Sequence, residues 1–156
     1  MYERILVPLD GSKVCEYALP YVEDLMSKLS TDVKVEIALI QVLSPVRPVC
    51  TAGEVGLDTT LIEKEIEEAR KKAIGYLNKT GEALRSKGAT VTAKVEVGDA
   101  SKEIVKAAKE TNADLIAMST HGRSGFSRWA FGSVADKVLR HGENIPILMV
   151  RAFNKA

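Results

Sequence analysis

The chain alternates between two kinds of apolar pattern, and that alternation limits its architecture more than any other feature. Short apolar runs at "RILVPLD", "VKVEIALIQVL", "TVTAKVEV", "ADLIAMS" and "NIPILMVRAF" read as strands. Between them lie segments whose apolar residues recur every three or four positions, the mark of a helix with one buried face. The order β-α-β-α-β-α-β-α-β predicts a parallel sheet with helices on both faces, because each return to a parallel strand needs a crossover. Right-handed crossovers restrict the topology further. The near-continuous runs predict strands buried on both sides, whereas the strict alternation of Val91, Ala93, Val95 and Val97 predicts an edge. The expected fold is therefore α/β, a doubly wound five-stranded parallel sheet of order 3-2-1-4-5.

Local signals refine the helices. Ser12 is a candidate N-cap for the first, whose inward face would be Cys15, Ala18, Leu19, Val22, Leu25, Met26 and Leu29. Pro20 falls within that pattern and should kink the helix or delay its start, having no N–H to donate. Ile62, Ile66, Ala69, Ala73, Leu77 and Leu84 mark one face of a long second helix ending at Gly88. Ile104 and Ala108 mark the third helix, and Val134, Ala135, Val138 and Leu139 the fourth. Ser44–Thr60 has no period and holds two prolines and two glycines, so it reads as a long loop.

Length and composition set outer bounds. A chain of 156 residues fits one domain (1–156) with a core of useful size. A net charge of +1 argues against a nucleic-acid binder held by counterion release. Cys15 and Cys50 form no CxxC pair and no metal-ligand spacing, and isolated thiols of a reduced cytoplasm are the expectation. The N-terminal "MYERILVPLDGS" does not read as a signal peptide. No run approaches the roughly 18 apolar residues of a membrane span. Cytoplasmic localisation without membrane or nucleic-acid partners follows as the expectation.

In a sheet of order 3-2-1-4-5, ligands bind beyond the carboxyl ends of strands 1 and 4, where the strand order reverses. Strand 1 ends at Leu9-Asp10 and strand 4 at Met118-Ser119. Asp10 should therefore face the stretch Ser119–Gly142 across one cleft. A carboxylate there can accept two hydroxyl hydrogen bonds from a ribose. Ser119, Gly122, Gly125 and Gly132 permit close backbone approach. Ser133 opens a helix whose N–H groups and dipole favour an anion. Arg123 and Arg128 add charge. Together these suggest a nucleoside phosphate. Each has a plainer reading: Asp10 as a turn or cap, the glycines as turns, Ser133 as an N-cap. Neither GxxxxGK[ST] nor a GxGxxG after the first strand occurs.

The same stretch resembles the universal stress protein family, whose pattern is Gly, two residues, Gly, nine residues, Gly, then Ser or Thr. Gly122, the nine residues Arg123 to Phe131, and Gly132-Ser133 match its later parts. Ser119 stands where the family has its first glycine. "ILVPLDGS", "VEVGDASKEIVKAA", "ADLIAMSTHGRSG" and "GSVADKVLRH…IPILMVR" carry the likeness across the chain. The resemblance implies a Rossmann-like, adenine-nucleotide alpha-hydrolase-like fold and a homodimer that binds ATP. Some members bind AMP or cyclic AMP instead, and some bind no nucleotide. By position it implies that Pro8, Leu9 and Asp10 line the adenosine end and that the Val42 backbone meets adenine. Gly98 would lie near the base. Met118, Ser119, Thr120, His121, Gly122, Arg123, Ser124 and Gly125 would wrap ribose and phosphates, and Gly132, Ser133, Val134 and Ala135 would hold phosphate. Ser119 in place of glycine either costs affinity or is tolerated as another small residue, its hydroxyl adding a contact.

Catalysis has little support. No Ser/His/Asp or Cys/His arrangement is evident, and His121 reads as a loop histidine. His141 complements a helix dipole, and Trp129 and Phe131 read as core or dimer contacts. No residue is assigned to a metal, and Mg would enter only through ATP phosphates. Three functions fit: a nucleotide-binding stress or regulatory protein, a weak Mg-dependent ATPase, or an interaction module without nucleotide. The strand 145–151 is an apolar edge that a homodimer would cover.

Overall fold

The computed structural model describes residues 2–29, 32–45, 59–122, 132–142 and 144–153. Five parallel strands, β1 (Arg4–Pro8), β2 (Glu36–Leu43), β3 (Thr90–Val97), β4 (Leu115–Gly122) and β5 (Ile147–Phe153), form one sheet in the order β3-β2-β1-β4-β5. The helices are α1 (Leu19–Ser27), α2 (Thr59–Ser86), α3 (Ala100–Glu110) and α4 (Ser133–His141). This is the doubly wound arrangement expected from the alternation, and the Rossmann-like fold that the resemblance implied, with β3 at one edge and β5 at the other.

The pleat divides the core in two. Ile5, Val7, Ile37, Leu39, Leu115 and Ala117 pack with Val22 of α1 and with Ala73, Leu77 and Leu84 of α2. Leu6, Ile40, Ile116 and Met118 pack with Ile104 and Ala108 of α3 and with Ala135 and Val138 of α4. The alternating face of β3 is partly open, as an edge strand allows, with Thr90 and Thr92 exposed.

Pro20 delays the first helix. A 3-10 helix at Cys15–Ala18 comes first, and α1 begins at Leu19 with Pro20 in its first turn, where its missing N–H costs nothing. Ser12 is therefore not the cap of α1, whose N-cap is Ala18; its Oγ instead accepts from Cys15 N at 3.4 Å. In α4, Leu139 departs from its expected inward position and is 49% exposed. It lies about 100° around the helix from buried Val138, beyond the strip that the sheet covers. The long loop's residues 46–58 lie outside the described residues, and α2 is already formed at Thr59. Among the described residues no helix is long and apolar enough to cross a membrane.

Candidate functional site

The crevice begins at a proline. β1 and β4 pair only at Ile5↔Leu115 and Leu6↔Ile116. Leu9 N donates to Ile40 O, so Leu9 turns its backbone toward β2. By alternation Pro8 turns toward β4, where the next rung would need an N–H that proline lacks. The ladder with β2 continues through Pro8↔Ile40, because that rung uses Val7 and Leu9. Pro8 thus opens the sheet on one side while leaving the other side paired.

Backbone groups line this opening from both flanks. Ile40 faces β1, so Val42 does too, and it lies beyond the last β1–β2 rung. Ile116 N donates to Pro146 O and so faces β5. Ser119 and His121 are odd-numbered neighbours along β4 and face the β1 side. Polar backbone groups that no strand satisfies are what a bound base or sugar would need.

Past Pro8 the chain turns sharply. Gly11 has φ +82°, a left-handed conformation suited to glycine. Asp10 Oδ1 accepts from Ser12 N at 2.9 Å, so the plainer turn reading of Asp10 holds for one of its oxygens. The side chain remains exposed. Burial pulls its carboxyl upward, but hydrogen bonds from the Cys15 and Ser12 side chains and from the Ser12 and Asp10 backbone outweigh that and hold it below its ordinary value. Asp10 is therefore an anion at neutral pH. The Cys15 thiol contacts Asp10 N at 3.2 Å and Ser12 O at 2.9 Å. Burial, then the Asp10 carboxylate, pushes that thiol upward, which makes it a packing group rather than a nucleophile.

Ser119 has a defined task. Its Oγ donates to Cys15 O at 3.1 Å, tying the 3-10 helix to β4 along one wall of the crevice. Sequence reasoning raised the possibility of an added contact but assigned it no partner. Sequence reasoning reads Cys15 as a helix-face residue and an isolated thiol, and does not assign its backbone a partner.

The N-termini of α3 and α4, both at this end of the sheet, differ. Asp99 caps α3, its Oδ1 accepting from Lys102 N at 3.1 Å. α4 has glycine at its N-cap and no side-chain cap. Gly132 O accepts from Asp136 N at 3.0 Å, but the amides of Ser133, Val134 and Ala135 precede the first intrahelical donor and point out of the helix end. Gly132 and Ser133 are exposed, and a Cβ added at Gly132 would meet nothing within 4 Å.

Other expected site residues hold the frame. The side chains of Leu9, Met118 and Ala135 are buried in the core, so these three can offer a ligand only backbone; Thr120 is buried and Val134 half-buried. Gly98 follows β3 with φ +153° and donates its N–H to Leu43 O at 2.9 Å, which sets it beside the end of β2. His121 and Gly122 end β4, in register with Ala152 and Phe153. Arg123, Ser124 and Gly125, with Arg128, Trp129, Phe131 and Cys50, lie outside the described residues. Among the described residues, no three His, Cys, Asp or Glu side chains are grouped to hold a metal.

Comparison with known proteins finds relatives in sequence and in fold. Universal stress protein MJ0531 of Methanocaldococcus jannaschii is 30% identical over 151 residues, covering 97% of this chain and 83% of that protein. Universal stress protein MJ0577 of the same organism is 29% identical over 163 residues, 99% of this chain and 98% of the other. The solved structure of MJ0577 superposes with a TM-score of 0.79 at 26% identity, over 99% of both chains. Two more distant structures share the fold: a universal stress protein in complex with cAMP, 18% identical with a TM-score of 0.63 over 96% of this chain and 97% of that one, and the universal stress protein from Archaeoglobus fulgidus in complex with dAMP, 21% identical with a TM-score of 0.58 over 96% and 98%. The model of the universal stress protein family matches residues 1–151, and the chain belongs to that family.

Proposed function

We propose that this chain binds an adenine nucleotide, ATP in the first instance, in the crevice between β1 and β4, and that it acts as a cytoplasmic homodimeric regulatory protein whose conformation reports the bound nucleotide. The observation that carries the reading is the uncapped, glycine-started N-terminus of α4, which opens at the same end of the sheet as the Asp10 carboxylate. Three outward amides and the helix dipole suit a phosphate. Asp10 suits the ribose hydroxyls as an exposed carboxylate whose Oδ1 already accepts from Ser12 N. The Val42 backbone suits the edge of a base. The cAMP and dAMP complexes of distant family members support an adenine nucleotide as the ligand class.

In this reading Pro8, Leu9, Asp10, Val42 and Gly98 form the adenosine end. Met118 to Gly125 wrap the ribose and phosphates, and Gly132 to Ala135 hold phosphate. Mg would come with the phosphates of ATP. The dimer would form through the strand 145–151.

The test is to denature purified protein and identify released nucleotide by chromatography and mass spectrometry, then to titrate the emptied protein with ATP. ATP near one per chain, absent from Gly132→Val, is the expected result. A Cβ at Gly132 meets nothing within 4 Å, so Gly132→Val is expected to fold, which circular dichroism would check. A wild-type protein that releases no nucleotide and binds no ATP on titration would overturn the proposal.

A further inference from the structure

A second concavity lies between α3 and α4. It encloses about 610 Å³, within the ~300–1,000 Å³ typical of small-molecule sites. α3 contributes Lys102, Val105, Lys106 and Lys109, at the i, i+3, i+4, i+7 spacing of one helical stripe, and α4 contributes Lys137 and His141. Val105, 9% exposed, gives the groove an apolar floor, which the aliphatic stems of the lysines extend.

Two carboxylates also line the groove, and both already have partners. Asp99 accepts from Ser101 Oγ at 2.6 Å and from Lys102 N as the cap of α3. Glu110 is bonded to Lys94 of β3 and has Lys106 at 3.9 Å. Lys106 also pairs with Glu103 at 3.5 Å. Lys102 and Lys137 have no carboxylate within ion-pair distance among the described residues. Lys102 of α3 and Lys137 of α4 line the same groove as Asp99. The Ser101 hydroxyl and the Lys102 amide hold the Asp99 carboxyl below its ordinary value, and the charges of Lys137 and Lys102 add to this. The result is concentrated positive charge over an apolar floor. An inorganic anion would satisfy only the charge, and a neutral apolar molecule only the floor.

We propose that the α3–α4 groove is a second binding site, for an amphiphilic organic anion whose phosphate or carboxylate head lies between Lys102 and Lys137 and whose apolar body lies along Val105 and the lysine stems. The proposal does not rest on nucleotide binding at the crevice.

The test is an amide NMR titration of the full chain with octyl phosphate, with saturating ATP present. The expected result is saturable shifts on residues 100–110 and 133–141 that ATP does not compete away. Inorganic phosphate and octanol should bind at least tenfold more weakly, and the double variant Lys102→Glu/Lys137→Glu should lose at least tenfold in affinity. Should that pair fail to fold, Lys102→Gln/Lys137→Gln should show the same direction of change. Shifts confined to the crevice, inorganic phosphate binding as tightly as octyl phosphate, or unchanged affinity in a folded double variant would each overturn the proposal. Sedimentation with phosphatidylglycerol vesicles, abolished in the double variant, would also overturn it by assigning the lysines to a membrane surface.

Discussion

Asp10 and Ser119 face one crevice and do different work. Asp10 spends one oxygen on the turn at Ser12 and stays charged, so its two roles can be separated. Asp10→Asn retains an acceptor for Ser12 N and removes the charge, whereas Asp10→Ala removes both. In the proposed complex, Asp10→Ala should weaken ATP binding by about 1–3 kcal/mol, roughly five- to 150-fold, with Asp10→Asn intermediate. Because the folded carboxyl sits below its ordinary 3.8, this contribution is present above that value and is lost as pH falls through the lower folded value. Isothermal titration across pH would check it, and equal affinities in all three proteins would remove Asp10 from the ribose. Ser119 has a structural bond, so Ser119→Ala should cost about 0.5–1.5 kcal/mol in urea unfolding. Its serine was legible as a departure from the family glycine. The bond was not, because it depends on a 3-10 turn 104 residues away in sequence.

Elements were most legible where the pattern repeats. The strands, the edge character of β3 and the delayed start of α1 all follow from apolar period and from Pro20. The 3-10 helix at Cys15–Ala18 was not legible, because its apolar residues fit an α-helical period equally well. The outward turn of Leu139 was missed because spacing defines a stripe without showing how much of it the sheet covers. Within α2, two glycines that look alike in sequence occupy opposite surroundings. Gly75 is exposed, and a Cβ there would meet nothing within 4 Å, so Gly75→Ala should stabilise the helix by about 0.5–1 kcal/mol. Gly81 is buried. A Cβ there would lie 2.9 Å from Val91 Cγ1 and 3.3 Å from Leu39 Cδ1, where α2 packs against β2 and β3. Gly81→Val should destabilise by about 1–3 kcal/mol through overpacking. Thermal melts of the two variants should shift in opposite directions, and matching shifts would show that helix propensity outweighs this close approach.

At the scale of the molecule, strand order and crevice position were legible together, because crossover handedness and the reversal point are properties of topology rather than of single residues. Why the crevice opens where it does required the ladder: Pro8 is merely a proline in a strand until the pairing shows which neighbour it faces. The α3–α4 groove stayed hidden because lysines on a helix read as a solvated face until two such faces are set side by side. The free edge of β5 makes the last case. Ile116 donates to Pro146 O, so the backbones of Pro146 and Leu148 face β4, and those of Ile147, Met149 and Arg151 face outward. A second copy pairing along that edge, as proposed, would use the Met149 N–H, which β4 does not. Met149→Pro removes this donor and leaves the β4 rungs intact, a more selective change than a charge at Leu148, whose half-buried side chain also packs on the core. Light scattering should show wild type as a dimer and Met149→Pro as a folded monomer with unchanged circular dichroism. A Met149→Pro protein that remains dimeric would move the interface away from the β5 edge.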